Sequence, residues 1–252
     1  VNKNASALAK QMNIRSDAVI VNQCDRYGYE ELAENGSRIQ VFHMAERGVG
    51  LSRNTALLHG SGTLCAFSDE DIVLCDDYEA RILQAYRDIP DADMILVNVR
   101  VAPARKTYWH DDIHRIHYRN YGRYPAYSIT AKRESLLRAN VYFSTLFGGG
   151  AKYSNGEDSL FLKDCLKAGL KIYAHSVCIG EEVERESTWF SGYHEKFFTD
   201  RGVLYHYLYG KLALPLAFRF LWVHRKEMCR DVPVRQAYAW MKAGVFEARG
   251  RC

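Results

Sequence analysis

No stretch of the 252-residue chain stays apolar for the ~20 residues that a bilayer crossing requires, and no basic segment followed by an apolar run opens it. A cytoplasmic location is therefore the expectation. The seven cysteines are an odd number, form no Cys-x-x-Cys pair and mostly sit inside apolar runs. That pattern suits reduced, buried thiols and argues against a disulfide framework or a zinc site. Charge of one sign is scarce too: a net +4 gives no reason to expect a nucleic-acid partner, and the basic excess is most visible beyond Lys211. Internal repeats and low-complexity runs are absent. What remains, 48% hydrophobic and 25% charged residues, has the make-up of a globular protein with one sizeable core.

Hydrophobic patterning predicts strands over 18–22, 38–42, 63–67, 94–97, 126–130 and 171–174, alternating with helices over 4–13, from 51 onward, over 76–89 and from 157 to a stop at Gly169. This alternation is that of βαβ units, hence an α/β protein. From about residue 189 the chain turns ring-rich and basic, with helices expected near 190–209, 212–228 and 233–246. The apolar run 212–223, flanked by Lys211, Arg219, His224, Arg225 and Lys226, suits either a membrane surface or a packed helical hairpin or dimer contact.

Three stretches carry chemistry. In Phe67-Ser68-Asp69-Glu70-Asp71 an apolar strand ends in three carboxylates, and strand alternation sends Asp69 and Asp71 to one side and Glu70 to the other. Two acids that close repel unless a cation sits between them, and Mg²⁺ and Mn²⁺ take oxygen ligands of this kind. An isolated Asp-x-Asp is more often a solvated turn, so its neighbours decide. In Gly48-Val49-Gly50-Leu51-Ser52-Arg53-Asn54 a glycine turn feeds a helix that Ser52 can cap, where backbone donors and the Arg53 fork suit phosphate or carboxylate oxygens. In Gly148-Gly149-Gly150 followed by Asn155-Gly156-Glu157-Asp158 a glycine loop leads into a helix whose first turn holds two acids. The macrodipole alone favours acids there, while a carboxylate kept ionised at that end can also take a proton from an incoming hydroxyl. His110, His114 and His117 have helical spacing, but no Cys or Glu completes a metal set around them.

Together these stretches resemble the family 2 nucleotide-sugar glycosyltransferases of GT-A fold, of the bacterial polysaccharide-assembly type. The resemblance extends from about Val19 to Ser176, with Ser187-Thr188-Trp189-Phe190 similar to a downstream element. It implies a Rossmann-like α/β domain over residues 1–188, a mostly parallel sheet flanked by helices, and a helical extension over 189–252. It also implies an inverting transfer from a nucleotide-diphosphate sugar to a hydroxyl of a surface glycan or lipid-linked acceptor. Asp25 matches the acid that contacts the base, and Arg53 a residue near the nucleotide. Asp69 and Asp71 match the Asp-x-Asp pair, Asp71 holding Mn²⁺ or Mg²⁺ on the diphosphate and Asp69 facing ribose or metal, with Glu70 and Gly149 grouped on the donor side. Asp158 matches the catalytic base with Glu157 beside it, and Trp189 an aromatic near donor or acceptor. The implied setting is cytoplasmic or peripheral at the inner face of the plasma membrane, with no nucleic acid and with membrane contact or homodimerisation through the C-terminal helices.

One departure stands out. Such enzymes open with a hydrophobic central strand, whereas Val1-Asn2-Lys3-Asn4 leads directly into a helix. The expectation is a chain that starts just past that strand, less stable and less active than a version carrying it. Two other readings stay open: a nucleotidyltransferase, although no basic glycine-rich loop follows the first strand, and a catalytically silent GT-A-like module that binds a glycan or partner.

Overall fold

The computed structural model describes residues 4–183 and 192–250. Helix α1 (Ala5–Gln11), capped by the Asn4 side chain on the Ser6 N–H, packs Ala5 and Ala9 with Met12 and Ile14 against Ile39 and Val41. Strands β1 (Ala18–Gln23), β2 (Gly28–Glu34) and β3 (Ser37–Met44) form a three-stranded sheet in the order β1-β3-β2. The sequence patterning predicts no element where β2 lies. Its run Gly-Tyr-Glu-Glu-Leu-Ala-Glu lacks an apolar face because it is an edge strand whose acids pair across to β3, Glu31 with Arg38 at 2.6 Å and Glu30 with His43 at 3.1 Å.

Helix α2 (Val49–His59) leads to β4 (Leu64–Ala66), the acidic turn and β5 (Ile72–Leu74). Then follow α3 (Tyr78–Asp88), β6 (Met94–Arg100), β7 (His114–Arg115), β8 (Ile129–Lys132), α4 (Arg133–Ala139), α5 (Glu157–Lys167) and β9 (Ile172–Glu182). The second sheet runs β4-β8-β6-β9-β5, with β7 also on β9. β6 is buried from Met94 to Val99 because both of its faces are covered: Tyr78, Ile82, Ala85 and Tyr86 of α3 lie on one, and Leu160, Phe161, Leu162 and Cys165 of α5 belong to the core on the other. The α/β class with flanking helices is the one expected. Strand direction is mixed: β1 with β3 and β6 with β9 are parallel, while β2–β3, β4–β8, β6–β8, β5–β9 and β7–β9 are antiparallel. Of the antiparallel pairs β2–β3 is a hairpin closed at Asn35-Gly36, whereas the others join strands distant in sequence. Among the described residues β1 pairs with β3 and β4 with β8, so the two sheets stay separate.

The segment between β6 and β8 is irregular apart from β7 and two 3-10 turns, so the three histidines do not share a helical face. His110 is buried with no partner on Nε2, and burial, then His114, pushes its pKa down to about 4. No metal-ligating cluster of His, Cys, Asp and Glu occurs among the described residues. At the C-terminus α6 (Glu195–Tyr209), α7 (Ala213–Met228) and α8 (Val234–Arg249) form a bundle with its own core, including Phe198, Ala217, Leu221, Ala237 and Met241. Gly202 and Gly244 let α6 and α8 approach closely: a Cβ on either would fall 2.0–2.1 Å from a carbonyl of the other helix. Val203, Leu204 and Leu208 of α6 and Ala248 of α8 join the core of the sheet domain, so the bundle is packed onto it. No helix among the described residues is long and apolar enough to cross a membrane.

Candidate active site

The glycine-containing turn before α2 is built by close contacts. Gly48 takes φ +131°, open only to glycine, and a Cβ on Gly50 would lie 2.2 Å from the Ser144 carbonyl oxygen. The helix begins at Val49 with Gly48 as its cap, so Ser52 is not the cap expected from sequence. It lies inside the first turn, where its hydroxyl accepts from Gln23 Nε2 at 2.8 Å, because the helix is capped at Gly48, four residues before Ser52. Gln23 Oε1 in turn accepts from the Gly48 N–H at 3.0 Å, tying the end of β1 to the start of α2. Asn54 clips the far side: its side chain donates to the Phe143 carbonyl at 2.9 Å and accepts the Phe143 N–H at 2.8 Å.

Between these anchors Arg53 reaches inward over the Phe143 ring, 5.3 Å from its centroid, and Phe143 stacks on Phe161 at 3.9 Å. The guanidinium forks. Nη2 donates to Asp69 Oδ1 at 3.0 Å, and Nη1 donates to Glu157 Oε1 at 3.0 Å and Asp158 Oδ1 at 2.8 Å. Burial opposes its charge, but Asp158, Asp69 and Glu157 outweigh that and raise its pKa above the ordinary arginine value. One buried cation thus gathers the acidic turn after β4 and the first turn of α5 into a single centre. Burial pushes Asp158 up to about 8, against the pull of Arg53 and with the help of Glu157 and Asp69. A carboxylate poised there ionises close to neutrality, the range that suits a general base.

The loop before α5 is equally constrained. Gly148, at φ +100°, leaves no room for a side chain: a Cβ would meet Val49 Cγ1 at 2.6 Å and the Glu157 carboxylate carbon at 2.7 Å. The Gly149 carbonyl accepts from the Val49 N–H at 2.9 Å. Gly156, at φ +114°, presses on Leu204 of α6, which a Cβ would meet at 2.4 Å.

Asp71, two residues beyond Asp69, is half-buried, and its carbonyl accepts from the Val183 N–H at 2.8 Å. Glu70 is exposed at the apex of the same turn, and Asp25 is exposed just past Gln23, at the end of β1 that Gln23 ties to α2. Trp189 lies outside the described residues. Asp69, Arg53, Glu157 and Asp158 are therefore brought into direct contact, while among the described residues Asp25 stands outside that centre. Among the described residues a cation alone would find no ready-made cage here. Mg²⁺ and Mn²⁺ sites that share a diphosphate use only one or two protein carboxylates, and Asp69 and Asp71 in one turn fit that need.

Sequence reasoning missed how the bundle holds the loop. Asp200 of α6, buried, accepts from both the backbone N–H and the hydroxyl of Ser154 at 2.9 Å and from Lys196 at 2.7 Å. Glu247 of α8 accepts from the Tyr153 hydroxyl at 3.1 Å. Lone polar residues within helical patterns give no hint of a partner 46 or 94 positions away. Because Ser154 stands two residues before the Gly156 cap, Asp200→Asn is expected to lower kcat roughly ten-fold through displacement of the α5 start, with donor KM unchanged. Steady-state kinetics that showed unchanged kcat would remove Asp200 from the supporting structure.

The sequence profile of Glycosyl transferase family 2 matches residues 4–147. No curated protein matches the chain at the level of sequence. Among solved structures, S. aureus TarS 1–349 in complex with UDP-GlcNAc superposes with a TM-score of 0.59 at 17% identity, over 90% of this chain and 69% of that one. A second structure of TarS 1–349 gives a TM-score of 0.61 at 15% identity, over 97% and 75%. At such identities the likeness establishes a shared fold, and it extends beyond the profile match into the C-terminal bundle. With more than half of its length matched by the profile, the chain belongs to glycosyl transferase family 2.

Proposed function

We propose that this glycosyltransferase moves a sugar from a nucleoside diphosphate donor to a hydroxyl of a glycan or lipid-linked acceptor, with inversion at the anomeric carbon. The observation that carries this reading is the Arg53 fork, which links the acidic turn at 3.0 Å to the Asp158 carboxylate at 2.8 Å. Asp69 and Asp71 would hold a divalent cation. Such a cation supplies Lewis-acid neutralisation of the charge that grows on the departing diphosphate. Asp158 accepts the acceptor's hydroxyl proton as the new oxygen–carbon bond forms and the bond from carbon to diphosphate oxygen breaks. With the base on one side and the leaving group on the other, a single displacement inverts the centre without a covalent enzyme intermediate. Arg53 keeps Asp158 aimed and biases it toward ionisation, against the like charge of Glu157 beside it. Asp25, Gly149 and Trp189 are assigned to the donor side.

The test is thermal denaturation with uridine, guanosine and cytidine diphosphates, with and without Mn²⁺. One nucleotide is expected to raise the melting temperature only when the metal is present, by about 8 °C at a hundred-fold excess over Kd. Asp71→Ala is expected to abolish that increment. Shifts that ignore both the metal and Asp71 would return the chain to a silent binding module, and nucleotide transfer from a triphosphate would favour a nucleotidyltransferase.

A further inference from the structure

The C-terminal bundle leaves one surface that neither the site nor the core uses. On α7 the inner face is Ala213, Ala217 and Leu221, all fully buried. The opposite face carries Phe218 and Trp222, 49% and 55% exposed, with Val223 at 58% and Leu212 just before the helix at 62%. Phe218 and Trp222 stack at 6.3 Å, and Phe218 meets Tyr238 of α8 edge-on at 5.6 Å. Tyr238, Lys242, Phe246 and Arg249 follow one another at helical spacing along α8, so its outer face continues that of α7. Phe246 is 47% exposed.

Cations are interleaved with these rings. Arg225 lies 4.5 Å from the Trp222 ring, and Lys242 and Arg249 lie 5.8 and 5.3 Å from the Phe246 ring. Arg219, Lys226 and Arg235 complete a set of six on the two helices. The acids of the two helices are engaged elsewhere: Glu227 accepts from Tyr193 at 2.7 Å, and Glu247 faces the glycine loop. Rings and aliphatic chains exposed beside unopposed positive charge are the signature of a face that lies in the headgroup layer of an anionic bilayer. A second copy fits poorly, since a two-fold contact would set Arg219, Arg225 and Lys226 against like charges, and interface cores are depleted in lysine.

We infer that this α7–α8 face binds an anionic lipid surface, with Phe218, Trp222 and Phe246 entering the interface and Arg219, Arg225, Lys226, Lys242 and Arg249 meeting lipid phosphates. It stands apart from the donor chemistry, since none of these residues touches the Arg53 centre.

The test is co-sedimentation of the intact chain with vesicles of phosphatidylglycerol and phosphatidylcholine in equal parts, and of phosphatidylcholine alone. Binding is expected to the first only, and to weaken as ionic strength rises from about 0.1 to 0.5 M, where screening shortens to a few ångströms. Arg219→Gln with Lys226→Gln is expected to weaken it about thirty-fold, two surface cations' worth. Phe218→Ala with Trp222→Ala is expected to abolish it. Both double variants are on the surface and should keep the parent melting temperature and its nucleotide response, so a failed donor reading would leave this result standing, and the reverse. Equal binding to both vesicles or to neither would overturn the inference, as would a concentration-dependent dimer that Trp222→Ala dissolves.

Discussion

Asp158→Asn is expected to lower kcat about 10³-fold, within the range that a positioned base contributes, while the Mn²⁺-dependent affinity for the nucleoside diphosphate moves by less than about three-fold. The parent should show kcat/KM rising with pH along a limb near 8, because burial favours the neutral acid and only the ionised form accepts a proton. That limb should vanish in the variant. Stability gives an independent check of sign. A carboxyl whose folded pKa is raised from 3.8 to about 8 favours the folded state at low pH, and that contribution is lost as pH rises through this window. Asn mimics the neutral form, so the variant should gain on the parent in melting temperature as pH rises from 3.8 to about 8. A pH profile for Asp158→Asn identical in shape and height to the parent's would eliminate Asp158 as the base.

Arg53→Met should have the largest effect on stability. Methionine keeps the packing over Phe143 and removes the one charge among the described residues that faces Asp69, Glu157 and Asp158 together. Leaving buried carboxylates unpaired costs about 3–5 kcal/mol, and the lower end applies because the Asp69 side chain is 38% exposed and water screens it. For a chain of this length, about 3 kcal/mol lowers the melting temperature by roughly 9 °C at pH 8. The deficit should shrink as pH falls, since the carboxyls then take up protons and need no partner. The Asp158 limb should move to higher pH, since Arg53 pulls that pKa down. Arg53→Lys should recover part of the stability but not the double-sided contact, for an ammonium has no fork. Equal melting of Arg53→Met and the parent at pH 8 would refute the arrangement.

How much of this was legible beforehand depended on range. Residues 157–168 read as a helix because Leu160, Phe161, Leu162 and Cys165 mark its apolar stripe, and α5 is Glu157–Lys167. The strands at Ala18–Gln23 and Met94–Arg100 were equally plain in their apolar runs. β2 was not, since an edge strand satisfies its backbone through a neighbour and needs no apolar pattern. The candidate site was visible as three separate motifs. That Asp69 and Asp158 share one guanidinium was not, because they stand 89 positions apart and touch Arg53 across 16 and 105.

The amino-acid order by itself determined the α/β class, the acidic turn, the helix that opens on Glu157 and Asp158 and the family, because periodicity and motif are local properties of a chain. The tertiary structure alone decided that Arg53 is the hub of the centre, that α6 and α8 hold the loop through Asp200 and Glu247, and that α7 and α8 present one aromatic and basic face. The reason is physical: a buried ion pair or a shared surface exists only once packing has excluded water and set distant segments a few ångströms apart.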